Sequence, residues 1–154
     1  MTKPIIRSLD RADLARVAHL VDANAMFPSA MLEDMTAGYF AGDPSQRWIV
    51  AADGAPEGVA YTVPEPLTEG TWNTLLICVD PEAHGRGIGT ALMRHIEAEL
   101  AAEGARILLV ETSGTPDFLR TRGFYDMLGH DREARIRDYY SVGDDKVIFR
   151  KALT

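Results

Sequence analysis

A glycine-rich junction in the middle of the chain constrains the fold most. An apolar run typical of a β-strand, Leu75–Val79, enters the junction, and a helical pattern leaves it from Ile88 onward. Gly85, Gly87 and Gly89 stand at this junction. A chain that turns from strand to helix in so few residues exposes the backbone N–H groups of the first helical turn, which lack partners within the helix. The helix dipole favours an anion there, so the junction predicts a ligand that carries a di- or polyphosphate.

Size and composition limit the class of protein. The 154 residues, 46% hydrophobic and 25% charged, are typical of a globular chain, and we expect residues 1–154 to form a single domain. No apolar run approaches the roughly 20 residues that cross a bilayer, and Met1–Pro4 has none of the features of a secretory signal peptide. The net charge of −7 argues against nonspecific binding to nucleic acid, which needs basic patches. We therefore expect a cytoplasmic protein with neither nucleic acid nor a membrane as partner.

The single cysteine and the four histidines narrow the chemistry further. Cys78 excludes an intrachain disulfide, and a cysteine within an apolar strand is more often a small buried hydrophobe than a nucleophile. The histidines show no metal-ligand spacing with cysteine or carboxylate partners. The sequence therefore predicts no metal site.

Hydrophobic periodicity and turn residues predict the element order βααβββαβαββ. The predicted strands cover residues 3–8, 47–52, 58–63, 72–79, 107–110, 135–137 and 146–150, and the predicted helices cover 11–23, 28–39, 88–103 and 117–128. This order is an α+β pattern with one sheet and helices packed on it.

The element order and two motifs carry a resemblance to a known family. Residues 84–89, His-Gly-Arg-Gly-Ile-Gly, are similar to a pyrophosphate motif usually written Gln/Arg-x-x-Gly-x-Gly/Ala. Residues 122–130, Arg-Gly-Phe-Tyr-Asp-Met-Leu-Gly-His, resemble a later motif with a tyrosine four residues before a glycine. Together these features resemble the GNAT superfamily of acyl-CoA N-acyltransferases, and they span nearly the whole chain.

The later motif fits in two registers. Taking Gly129 and His130 as its Gly-aromatic pair places Tyr125 at the tyrosine position, whereas the earlier pair at 123–124 would place Leu119 there. We adopt the first register because it leaves a better helix before the glycine. One departure from the family concerns the pyrophosphate motif, where His84 stands at a position that usually holds Gln or Arg.

The resemblance implies an α/β/α layered GNAT fold with one mixed, largely antiparallel sheet of about six to seven strands flanked by about four helices. It implies acetyl-CoA as co-substrate and direct transfer of its acetyl group to a primary amine in a ternary complex. The backbone at the end of the fourth strand and in the glycine-rich turn would hold the cofactor. The cofactor-binding residues so implied are Ile77, Cys78, Val79, Gly85, Arg86, Gly87, Ile88, Gly89 and Thr90.

The same resemblance assigns the chemical roles. Tyr125 would be the general acid that protonates the departing thiolate, because a phenol with a pKa near 10 keeps its proton at neutral pH. The backbone amide of Val79 would stabilise the charge that develops on the thioester oxygen. Glu111, at the end of a buried strand, is the candidate general base. The alternatives are a glutamate that merely lies in solvent or in an ion pair, and a chain of water molecules that takes the proton in its place.

Several alternatives stay open at this stage. The acceptor is either a small-molecule amine or a peptide N-terminus, and Tyr139 and Tyr140 either line its pocket or complete the last strands. Family members often dimerise through late strands, so 146–150 is a possible homodimer interface. A GNAT-like sensor that binds acyl-CoA without turnover and a nucleotide-binding module are the two rival functions.

Overall fold

The computed structural model describes residues 3–154 and contains seven strands and four α-helices. The strands are β1 (Ile5–Ser8), β2 (Arg47–Asp53), β3 (Ala55–Pro64), β4 (Thr71–Val79), β5 (Ile107–Ser113), β6 (Asp131–Ser141) and β7 (Asp144–Ala152). The helices are α1 (Leu14–Ala23), α2 (Leu32–Phe40), α3 (Ile88–Ala102) and α4 (Leu119–Met127). The signal-peptide interpretation concerned residues 1–4, and the first two of these lie outside the described residues. No helix within residues 3–154 is long and apolar enough to span a membrane.

All seven strands form one mixed sheet in the order β1-β2-β3-β4-β5-β7-β6. Only β4 and β5 are parallel, and the other neighbours are antiparallel. A mixed, largely antiparallel sheet of seven strands with four helices confirms the predicted fold class. Helix α3 connects the parallel pair, as a crossover between parallel strands requires.

Two hydrophobic cores lie on opposite faces of the sheet. On one face, α1 and α2 pack on the central strands through a cluster that includes Val17, Leu20 and Trp48. On the other face, α3 packs through Leu92 and Leu108, both fully buried. Burial of the apolar side of each helix against the sheet produces the α/β/α layering.

The parallel pair separates part of the way along its length. β4 and β5 pair over four residues each, from Thr71 with Ile107 to Thr74 with Val110. Immediately beyond this point β4 has one residue without a partner in β3. Tyr61 pairs with Leu76 and the next residue of β3 pairs with Thr74, which leaves residue 75 unpaired. A bulge of this kind bends the strand that carries it. We call the space between residues 75–79 of β4 and 111–113 of β5 the strand gap.

The last two strands are longer than the sequence predicts. β6 was expected at 135–137 and instead runs over eleven residues, all of them exposed. An exposed edge strand needs no alternation of apolar and polar residues, so periodicity gives no signal for it. The possible dimer segment 146–150 lies in β7, which is paired with β5 on one edge and with β6 on the other. Its backbone edges are therefore occupied, and the outer edge of the sheet on this side belongs to β6.

A buried carboxylate connects α3 to β7. Glu97 is 8% exposed and contacts the Lys151 ammonium, while Arg94 donates to it at 2.9 Å. Nε2 of His130 lies 3.6 Å from the second carboxylate oxygen. Burial acts to raise the pKa of Glu97, but the contacts with His130 and Lys151 outweigh it and lower that pKa to about 2.

We expect Glu97→Gln to lower the free energy of unfolding by about 2 to 3 kcal/mol near neutral pH, because the substitution leaves the Lys151 charge without its partner. A carboxylate with a lowered folded-state pKa stabilises the fold above its ordinary pKa of 4.5, and this contribution is lost as the pH falls toward 2. Urea unfolding across this pH range should therefore show a shallower acid decline in the variant than in the wild type. Glu133→Gln, on the exposed strand β6, is the control. Equal acid declines in the wild type and Glu97→Gln would contradict the assignment.

Candidate active site

The glycine-rich turn presents a row of unpaired backbone amides. Between His84 and Ala91 no backbone N–H donates a hydrogen bond to another of the described residues 3–154. We call the six N–H groups of residues 85–90 the amide row. They stand at the N-terminus of the 15-residue helix α3, where the helix dipole adds a partial positive charge. The amide row is thus built to receive an anion with several oxygens.

The glycines of this turn serve different purposes. Gly85 and Gly87 have φ angles of +83° and +78°, the left-handed region that glycine occupies without strain. A Cβ atom at either position would meet nothing within 4 Å, so the space above the turn is open. A Cβ at Gly89 would instead approach Cζ of Phe124 to 3.2 Å. The third glycine thus allows α3 and α4 to pack closely.

Contacts from α1 anchor the strand end that leads into the turn. Arg16 donates to the Asp80 carboxylate at 2.6 Å and to the backbone carbonyl of Pro56 at 2.8 Å. Asn24 donates to the carbonyl of Val79 at 3.0 Å. These contacts could not be predicted from the sequence, because Arg16 in α1 and Asn24 immediately after it lie more than fifty residues along the chain from Asp80 and Val79.

His84 makes a local contact in the same place. Its Nε2 lies 3.1 Å from the carbonyl oxygen of Val79. The histidine that departs from the family motif therefore links the turn to the strand before it.

The register of β4 with β3 determines which backbone groups face the strand gap. The amide of Asp80 donates to the carbonyl of Glu57, which shows that the backbone N–H of Asp80 points toward β3. Backbone direction alternates along a strand, which turns Cys78 toward β3 and directs Ile77 and Val79 toward the gap. The backbone groups of Ile77 and Val79 therefore face the gap, whereas those of Cys78 do not. Burial raises the pKa of the Cys78 thiol to about 12, which keeps it protonated.

Tyr125 lies beneath the strand gap on the α4 side. It is 3% exposed and belongs to a cluster with Val110 of β5 and Phe149 of β7, against which Ile77 of β4 packs. Burial raises the pKa of the Tyr125 hydroxyl. Among residues 3–154 no group forms a hydrogen bond with this hydroxyl. The competing register would have used Leu119, which is 64% exposed.

The C-terminus of α4 fixes the position of Tyr125. Gly129 takes a φ of +85°, and the amide of His130 donates to the carbonyl of Tyr125 at 3.1 Å. The amide of Gly129 donates to the carbonyl of Asp126, which completes a Schellman motif. The glycine of the second motif thus ends the helix one turn after the tyrosine.

Glu111 lies at the apex of the strand gap, one residue beyond the last pair of β5 with β4. Its Oε2 is 2.8 Å from Nζ of Lys146, and its Oε1 accepts a hydrogen bond from Nδ2 of Asn73 at 3.1 Å. The same Nδ2 donates to Glu65 at 2.8 Å. Glu111 is therefore in an ion pair, which is one of the two surroundings expected for a glutamate without a catalytic role. Lys146 and Asn73 are site residues that the sequence analysis missed, because neither belongs to a motif.

Other features of the sequence have structural roles. Asp145 accepts hydrogen bonds from Arg135 at 2.7 Å and from the backbone of Asp138 at 2.9 Å. Tyr139 and Tyr140 are about half exposed, and their rings contact each other edge to face. Within residues 3–154 no group of three or more His, Cys, Asp or Glu side chains could hold a metal ion.

The layered fold and the amide row beside the strand gap define the acyltransferase class that the two motifs predict. Residues 14–130 match the Acetyltransferase (GNAT) family, and the chain belongs to this family. The family and the fold class predicted from the sequence are therefore confirmed.

Similarity to individual proteins agrees with this membership. An amino-acid acetyltransferase from Ralstonia nicotianae is 30% identical over 105 residues, which are 68% of this chain but 23% of that protein's length. A GNAT-family protein from Desulfovibrio desulfuricans has a crystal structure that superposes with a TM-score of 0.90 at 27% identity, covering 97% of this chain and 99% of its own. A protein from Salmonella typhimurium, solved with its cofactor acetyl-CoA, has a TM-score of 0.79 at 17% identity, covering 99% and 95%.

Proposed function

We propose that this protein transfers the acetyl group of acetyl-CoA to a primary amine by direct attack in a ternary complex. The observation that carries the proposal is the amide row, which stands beside a strand gap with a buried tyrosine beneath it. The family membership and a relative of the same fold that binds acetyl-CoA support this co-substrate.

The turn fits the diphosphate of coenzyme A. The implied residues Gly85, Arg86, Gly87, Ile88, Gly89 and Thr90 supply the backbone N–H groups. The absence of Cβ atoms at the first two glycines leaves open space in which phosphate oxygens approach the backbone. Beyond the turn, the outward N–H and C=O groups of Ile77 and the outward N–H of Val79 offer an extended pantetheine arm the hydrogen bonds of a neighbouring strand. The carbonyl of Val79 is already in contact with Asn24 and His84.

The residues around the strand gap divide the chemistry between them. Acetyl-CoA supplies an activated acetyl group as a thioester. The amide of Val79 donates a hydrogen bond to the thioester oxygen as negative charge develops there. Burial raises the pKa of the Tyr125 hydroxyl, which therefore holds its proton at neutral pH. Tyr125 gives this proton to the sulfur when the carbon–sulfur bond breaks, and the second proton that the nitrogen loses on becoming an amide restores the hydroxyl.

Glu111 serves as the base in this proposal. The acceptor arrives as an ammonium ion and must lose a proton before its nitrogen can attack. The Glu111 carboxylate at the apex of the gap has lone pairs left after its contacts with Lys146 and Asn73. It therefore accepts the ammonium proton without losing those contacts.

The proposal treats residues 1–154 as one catalytic domain, because a single sheet extends from Ile5 to Ala152. It includes a cytoplasmic location, since the one cysteine is a buried thiol of the kind common in reducing compartments.

The acceptor is a small-molecule amine or a peptide N-terminus. We also propose a homodimer that forms through the late strands, with the exposed edge of β6 as the interface in place of 146–150. Light scattering measures the molar mass in solution and so tests for the dimer.

Release of thiol from acetyl-CoA tests the activity. We expect free coenzyme A to appear with the purified protein in the presence of a suitable amine, screened from a panel of small amines and peptides with free N-termini. The same mixture without amine provides the background rate. Binding of acetyl-CoA without thiol release across the panel would instead indicate a sensor. Competition by ATP but not by coenzyme A would indicate a nucleotide-binding module.

A further inference from the structure

We propose that Lys146 and Asn73 are positioning residues for Glu111, holding its carboxylate in one orientation at the apex of the strand gap. This inference rests on the proposed function, in which Glu111 takes the acceptor's proton. The two positioning residues come from β7 and β4, the strands on either side of β5 in the sheet.

The contacts of Glu111 leave its side chain little freedom. One carboxylate oxygen contacts the Lys146 ammonium at 2.8 Å and the other accepts from Asn73 at 3.1 Å. The Asn73 side chain is itself 1% exposed and its amide nitrogen is also bonded to Glu65. Only this orientation of the amide gives both carboxylates a donor, so the network determines which atom faces Glu111.

The side chain of Lys146 is itself fixed by burial and by a contact with an aromatic ring. Its side chain is 12% exposed, and its Nζ lies 4.1 Å from the centre of the Tyr139 ring. Attraction between an ammonium and an aromatic face adds to the ion pair on the opposite side. The Tyr139 ring stands on a segment of β6 that departs from regular pairing and is held by the Asp145 carboxylate.

The charge balance around Glu111 makes Lys146 important. The titratable groups that contact Glu111 or its immediate neighbours come from the β3–β4 loop, from β6 and from β7. They are Glu65, Tyr139, Tyr140, Asp144 and Lys146. Lys146 is the one cation in this described set, and burial acts to lower its pKa, but the contact with Glu111 outweighs burial and raises that pKa. Without the ammonium, Glu111 would share the Asn73 amide with a second carboxylate, Glu65, and would have no cation in contact to offset the repulsion between them.

The experiment compares two substitutions at Lys146. Lys146→Met keeps the length of the side chain without its charge, and Lys146→Arg keeps the charge. We expect kcat to fall about tenfold in Lys146→Met and the acidic limb of its pH–rate profile to move to higher pH, with the KM for acetyl-CoA unchanged. Lys146→Arg should recover most of the loss. A merely structural role would not move the acidic limb.

A double-variant cycle tests whether Lys146 acts through Glu111. In a Glu111→Gln background, Lys146→Met should have almost no further effect on kcat, because the carboxylate that it positions is already gone. Full additivity of the two effects, or wild-type rates and an unmoved acidic limb in Lys146→Met, would overturn the inference while leaving the acetyltransferase activity intact. Absence of amine-dependent thiol release in the wild type would overturn the proposed function and this inference with it.

Discussion

Replacing Tyr125 by phenylalanine is expected to lower kcat about 100- to 1,000-fold, the usual range for loss of a general acid. The departing thiolate would then have to take its proton from water. Because the ring stays, the packing with Val110 and Phe149 also stays, and the KM for acetyl-CoA should change little. Steady-state thiol release with an identified amine measures both quantities.

The Tyr125→Phe substitution should change kcat strongly and the free energy of unfolding very little. Within residues 3–154 the Tyr125 hydroxyl has no hydrogen-bond partner, so its removal should change the free energy of unfolding by less than about 0.5 kcal/mol. Tyr61→Phe is the matched control, since that tyrosine is also buried but stacks on Trp48 in the core on the other face of the sheet. We expect this control to retain wild-type kcat. Wild-type turnover in Tyr125→Phe would remove the tyrosine from the mechanism.

The sequence predicted those parts of the fold whose patterns are local. Helix α3 and the turn before it follow from the glycines and from an i,i+4 ridge of apolar residues, and the structure has both. The strand gap could not be predicted in the same way, because residues 75–79 are apolar whether or not a neighbouring strand pairs with them. The extent of β6 was missed for a related reason, since a strand exposed on both faces carries no apolar alternation.

The site shows the same division. Tyr125 could be identified because its motif ends in Gly129, a glycine that the helix terminus requires. The contacts of Glu111 could not be predicted, because pairing between strands brings its two partners to it from distant parts of the sequence. Asn73 is 38 residues from Glu111 along the chain. Lys146 reaches it only because β7 inserts between β5 and β6 in the sheet.

The second large effect is expected at Gly87. Gly87→Ala should weaken the binding of coenzyme A about 10- to 100-fold, the loss of one or two charge-assisted hydrogen bonds to the diphosphate. A Cβ at this position meets open space within the protein alone, so a loss of affinity beyond the effect of backbone strain reports a ligand that occupies that space. Isothermal titration with coenzyme A measures the dissociation constant directly and needs no acceptor amine.

The opposite end of the same helix supplies the control for backbone strain. Gly104 follows the C-terminus of α3 with a φ of +86°, close to the +78° of Gly87, and a Cβ there would also meet nothing within 4 Å. Both alanine variants should therefore lose about 1 kcal/mol of unfolding free energy, the cost of a left-handed alanine. Only Gly87→Ala should lose affinity, because the positive end of the helix dipole and the amide row lie at its end alone. Equal affinities in the two variants would mean that the diphosphate of coenzyme A is not held by this turn.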